Sequence, residues 1–466
     1  MKKLFSVILI LATILGLCAC GGSGSTENPT DAQPAGLQAG YSKQSIMPEG
    51  PVGLGGYANA DTRKSTGFID YVYVSCIAFR EGEDTVLLFT ADMCGGTTKV
   101  IKTLRNMVSA STGVPENNIM FSSSHSHTSP SVGADEDYTP IFYNAVVAAG
   151  TEAIADLAPA TLHAANVQTE GMNFVRHYIQ EDGTYSSANM GNLDLTTVKD
   201  HAREADPEMV VILAKREGDK KDIMLMNWQA HPCFDGGSDS TLIHADYIGT
   251  ARAAVEQAGM HFSFIQGGGG DVVTDSRIPT RKHGLDRTQY GQKLAQYAID
   301  AIPTMEQLTG DGIQIRQSMT ECPCVQPDTE RLAAAQQVTA LIGKNSAAAK
   351  TLAKQLGFFS TSEARGVVGS MGNPVTDKME LNSICIAGVG FATAPWEMFS
   401  DTCIYIKDHS PFKYTVVCSI TNGYRSYIPT SAAFDYPGYE RSVAYFGKGA
   451  AEIAADELVR MLKEMQ

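Results

Sequence analysis

The stretch Thr85–Pro130, TVLLFTADMCGGTTKVIKTLRNMVSASTGVPENNIMFSSSHSHTSP, decides how the chain is read. Its first eight residues, to Asp92, form a largely apolar run of strand length that ends on a carboxylate. Val100, Ile101, Leu104, Met107 and Val108 then fall on one face at helical spacing, and Asn118–His125 is a second run of strand length. Strand, helix and strand in that order predict a β-α-β unit with parallel strands. Asp92 and His125 stand where those strands end, the place where open α/β sheets bind ligands.

His125 and His127 are two of only ten histidines. In an extended segment, residues two apart point to the same side, so both imidazoles converge on one object. In one reading that object is a metal or a proton-transfer site; in the other both rings are structural and bonded to the neighbouring hydroxyls. Downstream, Glu208–Arg216 and Asp222–Ala230 read as strands about a polar turn, and the second runs into His231. Another strand, His261–Gln266, ends at the GGGGD of Gly267–Asp271. Glu397 lies between Trp396 and Met398, and a carboxylate in such apolar company needs a positive partner: an arginine, a helix end or a cation. Two imidazoles and one carboxylate are a sufficient shell for a catalytic zinc that keeps a position open for water.

The fold expected from this pattern is α/β, a mixed β-sheet core with flanking helices in a single large catalytic domain. No fixed-period repeat occurs. Glu330–Leu356 is alanine-rich and helical, an insertion that is either a packed helical pair or a lid. Near the C-terminus Ala450, Ala454, Leu458, Met461, Leu462 and Met465 make one helical core stripe.

Several residues admit two roles. Asp92 either orients His127 through its second N–H or caps the following helix. His244 offers a further imidazole, whereas His177, His201, His261, His283 and His409 read as surface or packing residues. The GGGGD stretch lacks the lysine and hydroxyl of a phosphate loop, so its glycines read as allowing close backbone approach. Cys322-Pro-Cys324 supplies half a metal shell at most and reads as a strand or loop feature. Gly369-Ser370-Met371-Gly372 is not a nucleophile elbow, because Val368 stands where the first glycine belongs.

The chain has 466 residues, 43% hydrophobic and 19% charged, an ordinary globular balance. Its net charge of −15 repels phosphate backbones and argues against a nucleic-acid partner. The first twenty residues carry two lysines and then an apolar run, Leu4–Leu17, too short to span a bilayer. Leu17-Cys18-Ala19-Cys20 resembles a bacterial lipobox. The expectation is a lipoprotein signal peptide over residues 1–20 with Cys20 lipidated, a flexible tether over 21–36, and a folded domain over 37–466. Such a protein is exported and held at the membrane surface by its lipid. The remaining eight cysteines are too sparse for a disulfide scaffold.

Taken together, the motifs resemble the catalytic domain of the neutral/alkaline non-lysosomal ceramidases. The resemblance starts with AGYSKQSIMPEGPVGLGGYA (Ala39–Ala58) and continues through HSHTSP, NWQAHP, GGGGDV and APWEMFSD to NGYRSYIPTSAAFDYPGYE (Asn422–Glu440). Their order and spacing over nearly all of Leu37–Gln466 carry it. It implies one Zn2+ per chain bound by His125, His231, Glu397 and Tyr427. It also implies His127 beside the metal, Arg176 of NFVRHY as an active-site arginine, and Tyr439 as a supporting tyrosine. The activity implied is hydrolysis of an N-acyl amide bond in a lipid-like substrate by metal-activated water. The family's G-D-V-S-P-N carries a serine, but here Val273 stands in its place, which disfavours a serine-acyl route. The chain is also expected to lack the additional C-terminal β-sandwich of well-known ceramidases. Two other readings compete. One is a two-metal barrel hydrolase using His125, His127, His231, His244 and Asp271, which requires eight β-α units. The other is a lipoprotein receptor that binds an amphiphile without turnover.

Overall fold

The computed structural model describes residues 36–466 apart from 58, 59, 134, 191, 192, 236 and 311. The leader expected over 1–20, with Cys20, and all of the tether but Gly36 lie outside the described residues.

Eight strands carry the larger sheet: β1 (Gln38–Ser45), β2 (Tyr73–Glu81), β3 (Asp84–Ala91), β4 (Ile119–Ser123), β5 (Ala158–Gln168), β6 (Glu208–Arg216), β7 (Ile223–Trp228) and β8 (His261–Gln266). Glu306–Gln307 adds a short ninth strand against β5. The spatial order is β8-β7-β6-β5-β1-β2-β3-β4. Neighbours are antiparallel except at the two edges, where β3 runs parallel to β4 and β7 parallel to β8. The β-α-β unit read from Thr85–His125 is one of these edges. Its crossover helix α1 (Thr98–Thr112) starts where the Thr97 hydroxyl accepts from Val100 N and ends at Gly113, whose φ of 76° suits a residue without Cβ. Ile101, Leu104 and Val108 are buried beneath it.

Helices α2 (Tyr138–Ala155), α3 (Asp246–Gln257) and α4 (Arg287–Asp300) join α1 in covering one face of this sheet. The other face packs on a second sheet, β9 (Ile313–Pro323), β10 (Thr376–Ile386), β11 (Val389–Thr393) and β12 (Tyr414–Cys418), with β11 and β12 parallel. Alternation along the strands divides the cores: Ile77 and Phe79 face the second sheet, while Cys76 and Ala78 face the helices. Ile212 and Leu225 meet Ile384, Phe391 and Val416 in the layer between the sheets. Both faces of the central strands are buried, which explains their nearly continuous apolar runs.

The alanine-rich insertion between β9 and β10 forms α5 (Leu332–Thr339), α6 (Ser346–Gln355) and α7 (Thr361–Gly369) around a small core of Ala335, Val338, Ala353, Phe358 and Ala364. The outer face of the second sheet is covered by α8 (Ser400–His409) and α10 (Ala450–Lys463), the latter burying the whole stripe from Ala450 to Met465. Helix α9 (Tyr439–Val443) is a short element beside α7. The architecture is thus helices, sheet, sheet, helices. This is a mixed α/β fold and not the ring of eight β-α units that the two-metal reading requires. No described helix is long and apolar enough to cross a membrane.

The larger sheet curls until its β8 edge reaches β1 and β2. Tyr41 Oη on β1 donates to Phe262 O on β8 at 2.7 Å, and the Ser75 and Ser263 hydroxyls are 3.2 Å apart. Residues 419–422, just past β12, stitch the two edges together: Ser419 N donates to Gln266 O at 2.9 Å, and Ser123 N donates to Ile420 O at 3.1 Å. The segments leaving the three parallel pairs therefore meet in one place.

Candidate metal centre

Each element delivers one donor. His125 lies two residues past β4, His231 three past β7, Glu397 four past β11, and Tyr427 nine past β12. The last two sit side by side because Glu397–Met398 and Tyr427–Ile428 pair in parallel. His125 Nε2 is 3.2 Å from His231 Nε2 and 3.1 Å from Glu397 Oε2, and His231 Nε2 is 3.4 Å from the same oxygen. Tyr427 Oη is 3.5 Å from His231 Nε2, and His127 Nε2 is 3.2 Å from His125 Nε2.

His125 and His127 converge, though not by the pleat expected of an extended segment. His125 has a φ of 70°, and this left-handed residue turns the chain so that the two rings meet edge to face, 4.8 Å between centroids. Gly56 closes over His127: a Cβ there would lie 2.4 Å from the ring.

The donor set fits a cation. His125 Nδ1 donates to Cys94 O at 2.6 Å and His231 Nδ1 donates to Gly269 O at 2.8 Å, so in both rings the proton is on Nδ1 and Nε2 presents a lone pair. Two lone pairs 3.2 Å apart thus face Glu397 Oε2, a buried oxygen with no hydrogen-bond partner among the described residues. Three converging acceptors repel one another unless something positive lies among them. The same three side chains satisfy the spacing of a metal shell, with ligand atoms all within 4.8 Å of one another. Zinc suits this nitrogen and oxygen set, and the outward hydrogen bonds of the two imidazoles are the kind that orient metal ligands. Cys94, His125 and His127 form an overlapping group, in which Cys94 Sγ lies 3.5 Å from His125 Nδ1, the nitrogen already bonded to Cys94 O.

The surrounding charges agree with this arrangement. Burial, reinforced by Arg176 and His125, holds His231 well below the usual imidazole range. Burial, then His125 and Arg176, does the same to His127, whose Nδ1 has no hydrogen-bond partner among the described residues. For His125 burial works downward, but Cys94 and Glu397 outweigh it and raise the ring. Glu397 is held below the carboxylate range, burial being outweighed by His125 and by the hydroxyls of Tyr424 and Tyr427. Tyr424 Oη donates to Glu397 Oε1 at 2.6 Å, leaving Oε2 to face the imidazoles.

Arg176 and Tyr439 border the same cluster. The Arg176 guanidinium lies 5.6 Å from the Tyr427 ring centroid, and the Tyr439 ring is 5.9 Å from that of Tyr427. Arg176 Nη2 donates to Gly270 O at 2.8 Å, so the glycine stretch serves the centre through its backbone. Val273 pairs with Phe174 in a two-residue strand, and no hydroxyl stands at that position.

Other sequence readings are corrected. Asp92 neither meets His127 nor caps α1; both its oxygens accept from Arg252 Nη2 at 2.7 Å, and Oδ2 accepts from Tyr73 N. His244 Nδ1 accepts from Asp246 N at 3.1 Å, and Asp271 accepts from Ser400 N and pairs with Arg203, so neither joins the centre. His177 is no surface residue: it is buried, with Nε2 2.8 Å from Glu440 Oε2. The roles of Cys94 O, Tyr424, His177 and Glu440 were missed, although Tyr424 and Glu440 lie within the quoted C-terminal motif.

No protein-family profile matches the sequence, and neither does any curated protein. Solved structures do match. The neutral ceramidase from Pseudomonas aeruginosa superposes with a TM-score of 0.70 at 15% identity, over 93% of this chain and 75% of that one. A ceramidase described as complexed with C2 gives 0.68 at 15% identity, over 92% of this chain and 74% of that one. The chain therefore has the fold of the neutral ceramidases.

Proposed function

We propose that this protein is a zinc-dependent hydrolase that cleaves the N-acyl amide bond of a sphingolipid-like amphiphile, with one zinc per chain held by His125, His231, Glu397 and Tyr427. The observation that carries the reading is the trio of mutually repelling acceptors, two Nε2 lone pairs and Glu397 Oε2, within a ceramidase fold. When bound, zinc supplies Lewis-acid polarisation and a lowered pKa for water.

The chain's own residues do the rest. Burial keeps His127 neutral, so it can accept a proton when water attacks the amide carbonyl and return it to the departing amine. Arg176, fixed against Gly270, provides a preorganised cation for the oxyanion that develops, and Tyr439, beside Tyr427, offers a phenolic donor. Water is the nucleophile in this reading, because Val273 offers no hydroxyl where an acyl-accepting serine would stand. The proposal includes an exported protein tethered to the membrane surface through a lipid on Cys20, where an amphiphilic substrate resides.

The test incubates zinc-loaded protein with N-acyl sphingosine and a panel of N-acyl amines and esters, beside a His125→Ala control. Release of fatty acid from the amides by wild type and not by the control supports the reading. Binding of the same lipids without turnover would make the protein a receptor instead.

A further inference from the structure

Next to the centre lies a buried ionic clamp that the proposed chemistry does not use directly. Glu440 Oε1 accepts from Arg176 Nε at 2.7 Å and lies 2.6 Å from Arg176 Nη2, while Oε2 accepts from His177 Nε2 at 2.8 Å. Glu440 is 1% exposed and the two basic residues are scarcely more so, hence neither pair is screened by solvent. Gly270 O takes the other bond of Nη2, and what remains of the guanidinium meets Tyr427. The guanidinium is thus held by Glu440, by Gly270 O and by Tyr427.

The position of Glu440 in the chain adds to this. It directly follows Tyr439 at the start of α9, so the carboxylate that fixes Arg176 also anchors the backbone carrying the phenol. Gly438 lies beside the clamp: a Cβ there would stand in ordinary contact, 3.4 Å from Glu440 Oε2 and 3.7 Å from His177 Nε2. From behind, α7 presses on α9 so closely that a Cβ on Gly366 would lie 2.1 Å from Ser442 O.

We propose that Glu440 is a positioning residue: by clamping Arg176 and His177 it sets where both the guanidinium and the Tyr439 phenol meet the substrate. The proposal rests on the amidohydrolase reading and adds to it a residue outside the metal shell. A carboxylate that touches neither metal nor substrate then controls the rate through alignment, to which reactions are steep: a misplacement of about 1 Å can cost about 100-fold.

The experiment uses the full zinc-loaded chain and compares wild type with Glu440→Gln, Glu440→Asp, Arg176→Met and the double variant Glu440→Gln/Arg176→Met, all assayed on N-acyl sphingosine. Glu440→Gln is expected to lower kcat about 10- to 100-fold with KM changed less than about 3-fold and the zinc content intact. Glu440→Asp, which keeps the charge on a shorter arm, is expected to fall in between and guards against misfolding of the glutamine variant. Because Glu440 acts through Arg176 as well as through Tyr439, the double variant is expected to lose less than the product of the two single losses. Selective 15N labelling of arginine gives a readout independent of turnover: the Arg176 Nε–H exchanges slowly with solvent in wild type and quickly in Glu440→Gln. Wild-type kcat in both Glu440 variants, or losses that multiply in the double variant, would overturn the proposal while leaving the hydrolase reading standing. A wild type that cleaves no amide removes both.

Discussion

Gly270→Ala places one methyl group against the backbone that carries a metal ligand. The added Cβ would stand 2.5 Å from Glu397 O, 2.8 Å from Met398 O and 2.9 Å from Glu397 C. Ordinary contact begins near 3.4 Å, so the two segments must separate by 3.4 − 2.5, about 0.9 Å. Backbone faces the methyl on that side, so no flexible side chain can yield. Gly270 also donates to Met398 O at 2.7 Å and accepts from Arg176 at 2.8 Å, so the shift pulls on both Glu397 and the guanidinium. Metal ligands tolerate displacements of about 0.2 Å. We expect zinc affinity to fall about 10- to 100-fold, as when the partners of metal ligands are lost, with an overpacking cost to stability of about 1–3 kcal/mol. Zinc titration against a competing chelator measures the first and urea denaturation of the metal-free protein the second. A Gly270→Ala protein with wild-type zinc affinity would refute the reasoning, for the close packing of this glycine would then have no bearing on Glu397.

Other substitutions probe separate links. Tyr424→Phe removes the 2.6 Å bond to Glu397 Oε1 and is expected to weaken zinc about 10-fold or more in the same titration, with little change in melting temperature. Arg252→Met breaks the buried pair with Asp92 and is expected to cost about 3–5 kcal/mol in urea denaturation while zinc stoichiometry stays the same, since Asp92 does not serve the centre. Asp246 carries the opposite kind of charge: burial raises its carboxyl to about 7, even though it accepts from the Tyr247 and Phe234 amides. The folded protein then holds that proton more tightly than the unfolded chain, and stability falls as pH rises from about 4 to about 7, by up to about 1.4 kcal/mol per pH unit. Asp246→Asn is expected to flatten this decline; an unchanged pH profile would assign it to other groups.

Local patterns were readable where the forces are local. The strand, helix and strand of Thr85–His125 follow from apolar spacing alone, and so does the C-terminal stripe that α10 buries. The stacking of two sheets was not readable, because β9 alternates polar and apolar residues as a sheet with one wet face would, and nothing in a strand names the surface it packs on. Asp92 was misjudged because its partner Arg252 is 160 residues away, and His177 because Glu440 is 263 residues away. The meeting of His125 and His127 was anticipated by a route the chain does not take, a pleat in place of a left-handed turn. Long-range pairing of charges is set by topology, and periodicity carries no information on it.

The proposed centre binds its cation through nitrogen and oxygen alone. X-ray absorption at the zinc edge, on protein loaded with one equivalent, reads that shell directly. The prediction is two imidazoles with oxygen ligands at about 2.0–2.2 Å, and loss of the imidazole signal in His125→Ala. A sulfur shell at about 2.3 Å, which would place the metal on Cys94 with His125 and His127, or the absence of any tightly held zinc, would contradict it.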